Sequence, residues 1–150
     1  PVKIENKWYS HSLSLNLYGI NLNKEGIKNT KQVILFEGEK SSMLYDSYFN
    51  LHNSAAVCGF NINKLQLDLL IKNFDINEII IAFDKEYLKY NNKDGEDYFN
   101  KLYKLGSKYK NYCNFSFIFD DKNLLDYKDA PIDKGKENFI KLFNSRVKII

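Results

Sequence analysis

Short apolar runs alternate with longer segments of helical period along this chain. Residues 33–36 form an apolar run that reads as a buried strand and ends abruptly in Glu37 and Gly38. Residues 41–51 carry Met43, Leu44, Tyr48 and Leu51 on one helical stripe, with Ser41 and Ser42 as caps. A small-residue strand over 55–58 ends at Gly59, and its loop is expected at the same rim as Glu37. Asn63 caps a second helix to 73, with Leu65, Leu69 and Ile71 among its apolar positions. Residues 78–83 are a continuous β-branched run, which predicts burial on both faces and hence a central parallel strand. A third helix over 94–109 turns Tyr98, Phe99, Leu102 and Leu105 inward. A fourth strand spans 115–119, a polar loop follows, and a last helix covers 134–144. Four β-α repeats in this order predict an α/β fold, a mostly parallel sheet flanked by helices.

Ahead of the first strand the pattern is weaker. Residues 12–18 alternate with period two, which predicts a half-buried strand with Leu13, Leu15 and Leu17 on one face. Residues 23–29 read as a short helix or turn. The organisation expected is a lead-in over 1–30, with a short strand segment, and one domain over 31–150.

Composition narrows the class. A chain of 150 residues, 44% hydrophobic and with 2 prolines, has the means to bury one core. No apolar run is long enough to cross a bilayer, so no membrane partner is expected. The chain opens at Pro1 without a secretory leader, which points to a piece of a longer polypeptide. Cys58 and Cys113 lie far apart without metal-ligand spacing, and so few cysteines fit a reducing, cytoplasmic setting. The net charge of +3 comes almost wholly from lysine and leans towards anionic partners without separating a nucleic-acid binder from an ordinary soluble protein.

The candidate chemistry is acidic. Glu37, the pair Asp84 and Glu86, and the pair Asp120 and Asp121 all stand at strand ends. An acid in such a place is ordinarily a solvated loop residue, and that reading weakens as successive strand ends repeat it. In extended chain Asp84 and Glu86 point to the same side. If their strand lies beside that of Glu37, three carboxylates converge on one rim, where only a cation makes their crowding favourable. Oxygen donors without His or Cys favour a hard ion, Mg²⁺ or Mn²⁺, completed by water and phosphate oxygens, hence phosphoryl transfer. His11 and His52 have no partner at useful spacing, and Cys58 reads as core. Asp120 and Asp121 read as the start of a turn, Gly59 to Asn63 as a turn and helix cap as readily as a phosphate loop. The tyrosines and lysines of 98–112 keep helical spacing, which favours inward rings over a base-stacking surface.

Three motifs carry a family resemblance. Glu37-Gly38-Glu39-Lys40 after one strand, Asp84-Lys85-Glu86 after another, and Lys128-Asp129-Ala130-Pro131 after a fourth resemble the Toprim domain of primases, topoisomerases, recombination mediators and some nucleases. The likeness covers about 31–145, and the Glu-Gly start and Lys-Asp loop are most similar to bacterial and phage primases. Leu17, Tyr18 and Gly19 resemble the segment preceding Toprim in bacterial primases. The resemblance implies Glu37 as general acid or base, and Asp84 and Glu86 as ligands of one or two Mg²⁺ (or Mn²⁺) ions. It makes Asp129 an accessory ligand or a group behind the ligands, and Gly38, Lys40, Lys85 and Lys128 contacts to nucleotide or nucleic acid. Its partners would be a DNA template, nucleoside triphosphates and further domains of the parent chain, zinc-binding or helicase.

This chain departs from the pattern at Glu86, where the family usually has Asp, at Tyr87-Leu88 in place of an Ala-Gly pair, and at Ser41 in place of an acid. The extra methylene of Glu86 moves its oxygens by about 1.5 Å. Primer synthesis is the activity the resemblance favours. A Toprim nuclease, with water as nucleophile, and a non-catalytic Toprim module that binds DNA or a replication or repair partner both stay open. A flavodoxin-like nucleotide-binding domain is disfavoured by the lack of a glycine-rich phosphate loop.

Overall fold

A computed structural model describes residues 2–4, 7–9 and 15–150. Strands β1 (Val2–Ile4) and β2 (Lys7–Tyr9) pair antiparallel as a two-stranded sheet. The main sheet has five strands: β3 (Gln32–Phe36), β4 (Ser54–Ala56), β5 (Glu78–Ala82), β6 (Asn114–Phe117) and β7 (Val147–Ile149). Their order is β4-β3-β5-β6-β7, parallel except for the antiparallel edge strand β7. The β-branched run of β5 is thus central, as its two-sided apolar character requires. Neither the β1–β2 pair nor β7 is foreshadowed by the apolar pattern, because three-residue strands are too short to establish a period.

The helices are α1 (Lys24–Thr30), α2 (Glu39–Phe49), α3 (Lys64–Asn73), α4 (Lys93–Ser107) and α5 (Lys136–Asn144). Alternation along the strands feeds two cores. Val33, Leu35, Ile79, Ile81, Phe115 and Phe117 pack with Ile27, Leu67, Leu70 and Leu102 of α1, α3 and α4. Ile34, Phe36, Ile80 and Ala82 pack with Tyr45, Phe139 and Leu142 of α2 and α5 on the opposite face. Each such apolar side chain contributes about 1.5–3 kcal/mol by leaving water. Leu17 and Ile20 belong to the first of these cores.

Several local expectations change. Ser12, Leu13 and Ser14 lie outside the described residues; Leu15 is exposed while Leu17 is buried, so the alternating stretch does not present one apolar face there. Among the described residues of the stretch, Tyr18 alone pairs with the sheet, in an antiparallel bridge to Ala56. Helix α2 begins earlier than its serines suggest. Gly38 takes the N-cap position, and Ser41 and Ser42 are buried inside the helix instead of capping it. The Ser42 hydroxyl meets that of Ser54 at 2.7 Å, and Ser54 also donates to Asp46. The helix therefore lies close on β4 by its small residues, and Met43, Tyr48 and Leu51 of the expected stripe face solvent. In α3, Asn63 forms the expected cap, in a reciprocal box with Gln66, while Leu65 is exposed.

Candidate functional site

The parallel register of β3 and β5 sets Phe36 beside Ala82. Glu37 and Asp84, the next polar residues on each strand, therefore leave the sheet side by side at its carboxyl edge, where open α/β sheets bind ligands. The loop after β4 joins the same rim, since the Gly59 N–H donates to the Glu37 carbonyl at 3.3 Å. Both expectations from the sequence hold.

Glu37 Oε2 and Asp84 Oδ1 are buried here without a hydrogen bond, and Asp133 Oδ1 is a third such oxygen. Burial raises the Asp84 pKa to about 6, helped by the charges of Glu37, Asp133 and Glu86 and opposed by Lys128. Burial, then Glu86, also raises Glu37, while Lys128, the backbone N–H of Asp84 and Lys101 pull it down. The Tyr98 hydroxyl donates to the Asp84 carbonyl at 2.6 Å and fixes that backbone from α4. Lys101 of the same helix lies 3.3 Å over the Phe60 ring.

The alternation that sends Asp84 and Glu86 to the rim sends Lys85 and Tyr87 inward. Lys85 is only 3% exposed, and its ammonium donates to Asp120 at 2.9 Å, to Asn123 and to the Leu125 carbonyl. It is a structural cation, engaged by internal acceptors, and not the phosphate contact its place in the motif suggests. Asp120 in turn accepts the backbone N–H groups of Leu124 and Leu125, so it organises a loop from within rather than simply starting a turn. The Tyr87 hydroxyl donates to the Asp120 carbonyl and accepts its N–H. Backbone bonds from Lys85 N–H to the Asp129 carbonyl (2.9 Å) and from Lys128 N–H to the Lys85 carbonyl (2.8 Å) lace the two motif segments together.

Asp129, taken from the motif as an accessory ligand, is turned to its own loop: its Oδ2 accepts the Asp126 N–H at 2.8 Å and pairs with Lys134 at 3.2 Å. Asp133, which sequence reasoning passed over, adds its charge to those acting on Asp84, and its Oδ2 accepts the Ala130 N–H at 3.0 Å. Its Oδ1 is buried, makes no hydrogen bond and lies 3.3 Å from the Lys40 ammonium. The available signal was Pro131. A turn led by that proline, closed by Asp133 N–H to the Ala130 carbonyl at 3.0 Å, folds the chain back to the rim. Lys128 pairs with Glu86, and Lys40, far more exposed, also stands at this edge. A Cβ on Gly38 would meet nothing within 4 Å, so the space before it is open. Helix α2 starts there without a side-chain cap, leaving its first N–H groups free for an anion. An open cleft of about 480 Å³ adjoins Glu86, between Leu88, Asp94, Asp97, Lys101 and Tyr127.

This donor set fits a hard divalent ion in one way only. Among the described residues no three acidic, histidine or cysteine side chains form a ready metal cage. Two unpartnered carboxylate oxygens suit Mg²⁺ or Mn²⁺ that keeps most of its shell as water and phosphate oxygen.

No family model matches the chain. It is 35% identical, over 99% of its length, to the SPbeta prophage-derived uncharacterized protein YorJ of Bacillus subtilis (strain 168), and spans 41% of that relative. Among solved structures it is similar to the Aquifex aeolicus primase (zinc-binding and RNA polymerase domains), with TM-score 0.61 and 21% identity over 92% of this chain and 31% of that one. It is similar also to the RNA polymerase domain of Mycobacterium tuberculosis primase DnaG in complex with double-stranded DNA, with TM-score 0.62 and 20% identity over 93% of this chain and 42% of that one. At these identities the likeness is one of fold: the chain has the α/β fold of a primase Toprim core.

Proposed function

We propose that this chain is the acidic core of a metal-dependent nucleotidyl-transfer enzyme acting on nucleic acid, with primer synthesis on a DNA template as its reaction. The observation that carries this reading is the Glu37–Asp84 pair, two buried, unpartnered carboxylate oxygens side by side at the carboxyl edge of a primase-type sheet. A divalent ion held there by Asp84 and Glu37, with Asp133 beside them, would supply charge neutralisation at the reacting phosphate.

The chain's own groups supply the rest. With Oε2 given to the ion, Glu37 would take the proton of an attacking hydroxyl on its other oxygen, Oε1. The open backbone at Gly38 and the uncapped first turn of α2 receive phosphate oxygens, and Lys40 reaches outward to the same anion. Tyr98 holds Asp84 in place through its carbonyl. A DNA template, nucleoside triphosphates and a zinc-binding or helicase domain are the partners this reading calls for; the chain spans 41% of its relative's length.

A second reading, a non-catalytic module, is favoured by two observations: Glu86 is held by Lys128, and no three-acid cage exists among the described residues. One assay separates the two. Incorporation of ribonucleotides on single-stranded DNA by the full-length protein in Mn²⁺ or Mg²⁺ is expected to fall ~10²–10⁴-fold in Glu37→Gln. The same variant should unfold at no lower a temperature than the wild type. Activity unchanged in that variant, or absent from the wild type, would overturn the catalytic reading; nicking without synthesis would turn it into a nuclease.

A further inference from the structure

We infer that Lys128 is the second cation of the acidic rim: its ammonium occupies the place of a second divalent ion, so that the rim takes one ion and no more. The inference rests on the metal-dependent reading above and specifies its stoichiometry.

Charge balance is the first support. Four carboxylates share the rim: Glu37, Asp84, Glu86 and Asp133. Two ammoniums are already seated on them, Lys128 on Glu86 and Lys40 on Asp133. The charges left over are those of Glu37 and Asp84, the two residues whose buried oxygens have neither a hydrogen bond nor an ion pair. One divalent ion neutralises that pair, and a second would leave the rim positive.

Placement is the second support. Lys128 does not hang from a loose loop. Its backbone takes a left-handed conformation, φ 71°, uncommon for a side chain other than Gly, Asn or Asp. Its N–H is bonded to the carbonyl of Lys85, whose own side chain is locked on Asp120. The fixed backbone aims the side chain back across the rim, over the Tyr127 ring at 5.4 Å and onto Glu86. An exposed lysine pair by itself contributes little because two long side chains must be ordered. Here the backbone is already held. The field of this ammonium reaches both Glu37 and Asp84.

The test counts Mn²⁺ by calorimetry and by electron paramagnetic resonance of the free ion, on the full-length protein at millimolar Mn²⁺. A Glu37→Gln/Asp84→Asn variant serves as the blank, so that ions held elsewhere subtract out. The wild type is expected to hold one ion above the blank and Lys128→Met two, because Glu86 is released. Lys128→Arg, which keeps the cation, and Lys128→Met/Glu86→Gln, which removes the freed ligand, should both return to one. Methionine is unbranched like lysine, so the left-handed backbone is strained no further, and circular dichroism checks the fold of each variant. Two ions above the blank in the wild type, or one in Lys128→Met, would overturn the inference and leave the proposed function standing. No ion above the blank in any variant would overturn both.

Discussion

Asp84 is the residue on which the site's chemistry and its stability oppose one another. Its folded pKa, about 6, lies above the ordinary 3.8, so between those values the folded protein holds a proton that the unfolded chain releases. Stability from this group therefore falls as pH rises through that window and stays low above it. Asp84→Asn is expected to be more stable than wild type at neutral pH without added metal. The difference should shrink as pH drops below about 6 and vanish below 3.8, a trend that urea unfolding at several pH values will show. Metal affinity must run the other way, tightening as pH rises through about 6, because the ion needs the ionised carboxylate. Glu37, raised by the same burial, was legible as a strand-end acid; that its Oε2 lacks a donor was not.

Among elements, the segment after β5 shows why residue type alone misassigns a motif. Asp84-Lys85-Glu86-Tyr87 reads as a charged loop, yet alternate residues serve opposite sides of it. Asp84 and Glu86 face the rim, and Lys85 and Tyr87 grip Asp120 behind it. Lys85→Met leaves the Asp120 carboxylate buried without its cation, and removing one partner of a buried pair costs about 3–5 kcal/mol. The bonds from Lys85 to Lys128 and Asp129 run through its backbone and survive the substitution, so the effect is expected in stability. A loss of stability below about 1 kcal/mol in denaturant titration would contradict the assignment of Lys85 as the internal brace. Helix α2 teaches the complementary lesson. Its apolar stripe faces out because the nearest surface, β4, accepts serines at close range, so a weak periodic signal lost to polar packing.

At the scale of the whole molecule, the five-stranded order β4-β3-β5-β6-β7 brings Glu37 and Asp84 to one edge, although they are far apart in the chain. The folded state alone assembles that pair, so an ion bound there stabilises it by mass action, about 2.7 kcal/mol when the free ion exceeds Kd 100-fold. For a protein of this size that amounts to roughly 5–10 °C in Tm. Scanning fluorimetry is expected to show such a rise with Mn²⁺ for the wild type and none for Asp84→Asn. Equal rises in both would remove the ion from this edge. No helix among the described residues is long and apolar enough to cross a membrane.

The sequence by itself determined the strand-helix alternation, the central place of the β-branched run 78–82, the Asn63 cap and the strand-end positions of Glu37 and Asp84. These depend on local period and on the right-handed, parallel connectivity that short β-α units impose. Tertiary structure alone decided which charged neighbours face the site. Lys85 turned inward because alternation and Asp120 gave its charge a buried partner. Asp129 was spent on its own loop, and Asp133 took its place beside Asp84 because a proline-led turn folded the chain back. Side-chain partners set by three separate loops have no signature in any single stretch, so only the assembled fold tells a ligand from a brace.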